Sequence, residues 1–300
     1  MSGSLHLSVR LLTCRPQPEP THFPAPPTLV LMPLDRRSLL RVGIGGMVGV
    51  SGLIGIAGCT NAPLPGTGGS APFCASRAEV EPHRRLNGAR FIYDISGEAQ
   101  PFRFEPTFFG QLGGWLTDYL ELSQLPEPDT ISTFGSWLDG EPDCDSWHDA
   151  GRAFDLSRLI TDGRVQVSCR YDVWKHYRGA RLRRFRTSYW GLAASLHLHF
   201  ASVLTYLYNT DHHNHIHIDN GRSGDGRSTF SRRSEAQVQA VQGMLTHVWD
   251  RPVEVTGRWN GATSDACRAV LEGTDSTGTL TDGAEQWHAF LRATTSRGSS

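Results

Sequence analysis

Residues 211–219 read "DHHNHIHID", four histidines and two aspartates in nine positions of a chain that holds thirteen histidines. The pattern alternates, with Ile216 and Ile218 to one side and His215, His217 and Asp219 to the other. A period of two is that of a half-buried β-strand, isoleucines inward and the polar set outward. Val165, Val167, Cys169 and Tyr171 alternate in the same way and predict a second strand. Between and before them the spacing is helical. "TFFGQLGGWLTDYLELS" (107–123) repeats Phe109, Leu112, Leu116 and Leu120, and "SYWGLAASLHLHFASVLTYLYN" (188–209) is long enough for a buried or amphipathic helix. Helices and strands in mixed, non-repeating order predict an α+β domain.

The polar strand matters because of what precedes it. Residues 146–155, "SWHDAGRAFD", have the pattern S-x-H-x-x-G-x-A-x-D. His148 and Asp155 are too far apart for adjacent turns of one helix, so a loop entering a strand must bring them together. Gly151 allows a tight return there, and the small Ala153 lets the backbone approach. Alone, this segment reads equally as an ordinary acidic loop. Paired with a distant His strand, it reads as the local half of a three-ligand metal site. Such sites draw two ligands from one segment and a third from far along the chain, leaving a position open for water. The metal acidifies water and polarises a carbonyl, while a nearby acid/base carries the proton.

This pair of motifs, with H-x-H at a distance, resembles the zinc D-Ala-D-Ala carboxypeptidase and murein endopeptidase group, and most of all the bacterial extensin-like C-terminal family. The resemblance spans about residues 75–220 and is specific only at the motifs. It implies a small zinc-peptidase domain of antiparallel sheet and helices, with His148, Asp155 and His217 as zinc ligands. It also implies an arginine that steadies the tetrahedral oxyanion, for which Arg103 in "PFRFEP" is the upstream candidate. One departure matters: carboxypeptidases of the group carry a general base three residues before the last His ligand, where this chain has Asn214. The endopeptidase branch shows H-x-x-H-x-H instead, which His212, His215 and His217 match. On that likeness His212 or His215 replaces the carboxylate, and Asp211 is a candidate to orient a histidine. His213 is out of phase and reads as a solvated neighbour. The second H-x-H, His197 and His199, lies in a helical pattern that points its residues to different faces.

Residues 35–59, "DRRSLLRVGIGGMVGVSGLIGIAGC", set twin arginines before a Gly-rich apolar run that ends in "IAGC". That resembles a twin-arginine lipoprotein signal with Cys59 as the lipidated residue. Met32 is read as the true start, so residues 1–31 are set aside and 32–59 are the signal. Residues 60–74 are a Pro/Gly/Ser tether, 75–222 the peptidase-like domain and 223–232 a linker. Residues 233–300 are a helical module, with Val238, Val241, Leu245 and Val248, then Ala266 and Val270 behind Thr263 as N-cap, then Trp287, Phe290 and Leu291. This module resembles the three-helix peptidoglycan-binding domain, whose second helix opens from a turn that Gly257, Trp259, Gly261 and Thr263 would occupy. The alternative is a helical cap on the domain.

Net charge is −1 and the only lysine is Lys175, so charge gives no reason to expect nucleic acid as a partner. Export places Cys74, Cys144, Cys169 and Cys267 in an oxidising space, where a Cys144–Cys169 bridge would flank the 146–155 segment. The expected protein is a Zn2+ peptidase at the cell envelope, held to the outer face of the membrane by a lipid on Cys59. It would cleave stem peptides or cross-bridges of peptidoglycan. Two other readings stand beside it: a catalytically silent peptidoglycan-binding lipoprotein, and an exported protein that handles zinc itself.

Overall fold

The computed structural model describes residues 74–137, 144–221, 223–274 and 276–299. The signal, Cys59 and the tether up to residue 73 lie outside the described residues. Strands β1 (Glu81–His83), β2 (Arg85–Leu86), β3 (Ala89–Tyr93) and β4 (Phe102–Phe104) precede helix α1 (Pro106–Ser123). Next come β5 (Thr130–Gly135), β6 (Ala153–Thr161), β7 (Arg164–Ser168), the single turn α2 (Tyr171–Trp174) and the long α3 (Gly179–His199). After β8 (Ser202–Leu204), a 3-10 turn (Thr210–His213) leads into β9 (Ile216–Asp219). Helices α4 (Glu235–His247), α5 (Gly261–Leu271) and α6 (Ala284–Gly298) follow. The fold is α+β. No described helix is long and apolar enough to cross a membrane.

The main sheet runs β2-β3-β5-β6-β9-β8, with β7 also paired to β6. It is mixed, not antiparallel throughout as the resemblance implied, because β3 and β5 pair in parallel. Helix α1 lies between those two strands in the chain, and a helical crossover returns the chain in the same direction. Glu105 caps α1 through the Thr107 and Phe108 amides, with proline in the first turn. Its buried stripe is Phe108, Leu112, Trp115, Leu116 and Tyr119, turned slightly from the expected one. Trp115 Nε1 donates to Ser195 Oγ of α3, which fixes that rotation.

Strand β6 is the hub. One edge pairs with β5 along its length; on the other, its second half takes β7 and its first half takes β9. Val167 and Cys169 are buried as the alternation required, but Val165 is exposed near the hairpin turn, Cys169 lies just past the end of β7, and Tyr171 starts α2. The expected 188–209 helix is displaced. It starts earlier, at Gly179, through an Arg-rich stretch with little apolar period, and ends at His199, after which residues 202–204 form β8.

Helices α4, α5 and α6 belong to the same hydrophobic core as the sheet and α3. The approach of α3 to α6 is set by glycines: a Cβ on Gly191 would stand 2.9 Å from Gly298 Cα. Trp190 fills the space beside Gly243 of α4. The N-cap of α5 is Asn260, which accepts from the Thr263 amide, so Thr263 is buried in the first turn and is not the cap. Buried Gln242 holds the preceding turn through the Thr256 and Gly257 amides and the Arg258 carbonyl. Residues 223–232 are likewise tied down: Trp287 donates to Ser228 Oγ, and the Ser228 amide donates to Leu198 O.

Cys74 is bonded to Cys144, and the expected Cys144–Cys169 bridge does not form. Cys169 lies in the core under the sheet, where burial pushes its thiol pKa up, whereas Cys144 opens the loop that leads to His148. The bridge closes a separation of 70 residues, a length for which removal costs ~4 kcal/mol. Cys144→Ser is therefore expected to lower unfolding stability by about that amount in non-reducing denaturant titrations. The reduced wild-type protein should match it.

The two histidines of the second H-x-H are structural. His199 Nε2 lies 3.0 Å from Asp118 Oδ2, while both ring nitrogens of fully buried His197 lack partners among the described residues and burial pushes its pKa down to about 3. Once the chain unfolds this imidazole titrates near ~6.5, so the unfolded state takes up a proton that the folded state refuses. The contribution of neutral His197 is complete above that value and is lost as pH falls toward about 3. His197→Leu is expected to shrink the drop in Tm between about pH 7 and pH 5; an unchanged drop would contradict this.

Candidate metal centre

The β6/β9 register sets Asp155 directly across from His217. Both point to the face opposite Phe154, Leu156, Ile216 and Ile218, all of which are fully buried. His148 arrives from the turn before β6. There Asp149 N donates to Ser146 O, Gly151 N to His148 O and Arg152 N to Trp147 O, which winds the segment tightly. Gly151 has φ +65, and a Cβ on it would come within 2.6 Å of Val80 and 2.9 Å of the Glu105 amide. Glycine is required here by both conformation and space. Arg152 ties this turn to the end of β9 through Asn220, its guanidinium lying 4.8 Å over the Trp147 ring.

The result is a convergence of three side chains. His148 Nε2 lies 3.2 Å from His217 Nδ1 and 3.3 Å from Asp155 Oδ1, and His217 Nδ1 lies 3.0 Å from Asp155 Oδ1. Donor atoms held tetrahedrally at the usual zinc bond lengths stand ~3.3 Å apart, so the spacing fits a small tetrahedral ion. The outer ring nitrogens are also engaged. His148 Nδ1 donates to Ser136 O at 2.7 Å, and His217 Nε2 faces Asp219 Oδ2 at 3.3 Å. Each contact leaves the other nitrogen of its ring directed at the shared centre, the arrangement metal-ligating histidines use.

Electrostatics point the same way. Burial disfavours a charged Asp155, yet His148, His217 and His215 hold its pKa well below the usual carboxylate range. Burial likewise disfavours charge on His217, but hydrogen bonds to Asp155 and Asp219 push its pKa up to about 10. Two carboxylates thus demand a positive charge at this point. A proton on His217 meets that demand, and a divalent cation on the three inner atoms would meet it more fully.

His215 Nε2 is 3.4 Å from Asp155 Oδ1, next to the triad but outside the set of atoms that lie within 4.8 Å of one another. Asn214 Oδ1 lies 2.6 Å from His215 Nδ1, so Asn214 orients this ring. The neighbouring Phe134 ring packs on His215 and lies under the Arg170 guanidinium. His212 stands behind, its ring 5.2 Å from that of His215, and burial with the cationic forms of His215 and His217 pushes its pKa down to about 3. His213 points away and packs edge-on against Tyr171 at 5.0 Å. Asp211 is exposed and makes no hydrogen bond to a histidine among the described residues; the orienting carboxylate is Asp219. Arg103 is not brought to the cluster by any described hydrogen bond or ion pair; its guanidinium donates to Val80 O. The roles of Ser136 O, Asn214 and Asp219 escaped the sequence reading, although the strand alternation had already put Asp219 on the histidine face.

Zinc titration of the metal-stripped protein is expected to show one site, lost in His148→Ala, Asp155→Ala and His217→Ala and kept in His213→Ala. Asp219→Asn should weaken binding on the order of 10–100-fold. Because His217 carries a proton up to about pH 10, uptake should release a proton at neutral pH and weaken as pH falls; calorimetry in buffers of different ionisation heat measures this. The chain matches no protein-family profile, no curated protein and no solved structure.

Proposed function

We propose that the chain is an exported zinc peptidase, tethered by a lipid on Cys59, that cleaves stem peptides or cross-bridges of peptidoglycan. The observation that carries this reading is the convergence of His148 Nε2, Asp155 Oδ1 and His217 Nδ1 from a turn and two strands, each histidine oriented from behind. Zinc held by these three atoms would supply Lewis-acid chemistry, polarising an amide carbonyl and making water acidic near neutrality. The chain's own residues do the rest. His215, with Nδ1 held by Asn214, takes a proton on Nε2 beside Asp155 and returns it to the leaving amine. Burial lowers the pKa of both rings, that of His212 to about 3, and His212 is the weaker candidate because His215 is the one whose Nε2 stands 3.4 Å from Asp155 Oδ1. The Cys74–Cys144 bridge supports an oxidising location. The peptidoglycan assignment rests on the motif likeness and on the likeness of the C-terminal helices to a wall-binding module.

A second reading, a silent wall-binding lipoprotein, is favoured by two observations. Arg103 is engaged with the Val80 carbonyl, and Asn214 faces His215 where the family's carboxylate would be expected. Incubating the purified, zinc-loaded chain with muropeptides separates them. Under the first reading product appears, is abolished by a chelator and falls by about 10²–10⁴-fold in His215→Ala, with a smaller loss in His212→Ala. Zinc uptake and sacculus binding without product would support the second.

A further inference from the structure

The long helix α3 begins with a run of arginines that the metal centre does not use. Arg183, Arg184 and Arg186 line a cavity of about 920 Å³ whose other walls include His247 at the end of α4, Asp250, and Arg297 at the end of α6. None of its lining residues belongs to the metal centre. The charge balance is uneven. Arg183, Arg184 and Arg186 pair with no carboxylate among the described residues, and Asp250 reaches only Arg297, at 4.0 Å, while 91% exposed. Arg297 is further held by its Nε donating to Val248 O and by the Trp249 ring. The buried Nε of Arg186 has no hydrogen-bond partner among the described residues. His247 senses this excess, since burial and then the Arg186 charge push its pKa down to about 4.

An unpaired, partly buried guanidinium is costly unless an anion completes it. A lone carboxylate satisfies one arginine fork, whereas a phosphoryl group offers three oxygens and close to two charges to several. The cavity is also larger than a bare phosphate and has room for the molecule that carries it. We infer that this cavity is a binding site for a phosphoryl group borne on a larger molecule, with Arg186 as its inner anchor and Arg183 and Arg184 closing from α3. The inference is independent of the metallopeptidase reading.

The test uses the full chain at fixed ionic strength. Inorganic phosphate and glycerol 3-phosphate are titrated while the His247 ring resonances are followed. Bound phosphate neutralises the Arg186 charge, so the His247 midpoint should rise on saturation. Arg186→Gln should weaken binding about tenfold or more while leaving zinc uptake unchanged and not lowering Tm in phosphate-free buffer. Flotation with phosphatidylglycerol vesicles against phosphatidylcholine vesicles identifies the source. Arg186-dependent capture by the anionic vesicles alone assigns a lipid headgroup, and Arg186-dependent binding of glycerol 3-phosphate assigns a soluble phosphoester. Binding no stronger than that of chloride in every arm, or binding unchanged in Arg186→Gln with a fixed His247 midpoint, overturns the inference.

Discussion

Everything at the candidate metal centre depends on one pairing in the sheet, Asp155 of β6 against His217 of β9. Sliding β9 by one residue against β6 would turn His217 into the core, away from Asp155, and bring Ile216 and Ile218 out to solvent. The buried side chains of Phe154, Leu156, Ile216 and Ile218 therefore hold the polar pair in place: burial on one face of β6 and β9 determines chemistry on the other. The register also carries Asp219 to the end of the same face, where it meets the far nitrogen of His217.

Around that pair the fold supplies restraint from several directions. The Cys74–Cys144 bridge and the wound turn at residues 146–151 deliver His148, while the Ser136 carbonyl sets its ring. Beside the triad, Asn214 does the same for His215. Farther out on this side of the molecule, buried Asp94 gathers Ser132, Ser157, Arg158 and Arg170, and Arg170 in turn lies over the Phe134 ring that packs on His215. Such shells let a histidine keep one tautomer and one position. They also show that Asn214, which looks like a missing base in the motif, has a positioning use of its own.

The helical half has a different logic. Helix α3 is apolar where it crosses the sheet and under α6, and cationic where it emerges toward Gly179. Glycine-on-glycine contact with α6 seats the C-terminal helices on α3 as one core with the sheet, and the basic cavity forms where α3, α4 and α6 meet. A helix that serves as core at one end and as a charged wall at the other shows little periodic signal over its exposed half, so its start was displaced in the sequence reading.

The sequence by itself determined the α+β class, strand β9 with its two faces, helix α1, the three C-terminal helices, and His148, Asp155 and His217 as the residues to watch. These are all legible because local periodicity and short motifs are written in consecutive residues. Tertiary structure alone decided the parallel β3/β5 pair, the Cys74–Cys144 bridge, the turn at Tyr171, and the partners Ser136, Asn214 and Asp219. It also decided that Arg103 binds a carbonyl and that Arg186 faces a cavity. Each of these is a relation between segments distant in the chain, or a choice of side-chain direction among several local options. Such relations are fixed only when burial and hydrogen bonding are satisfied together across the whole core.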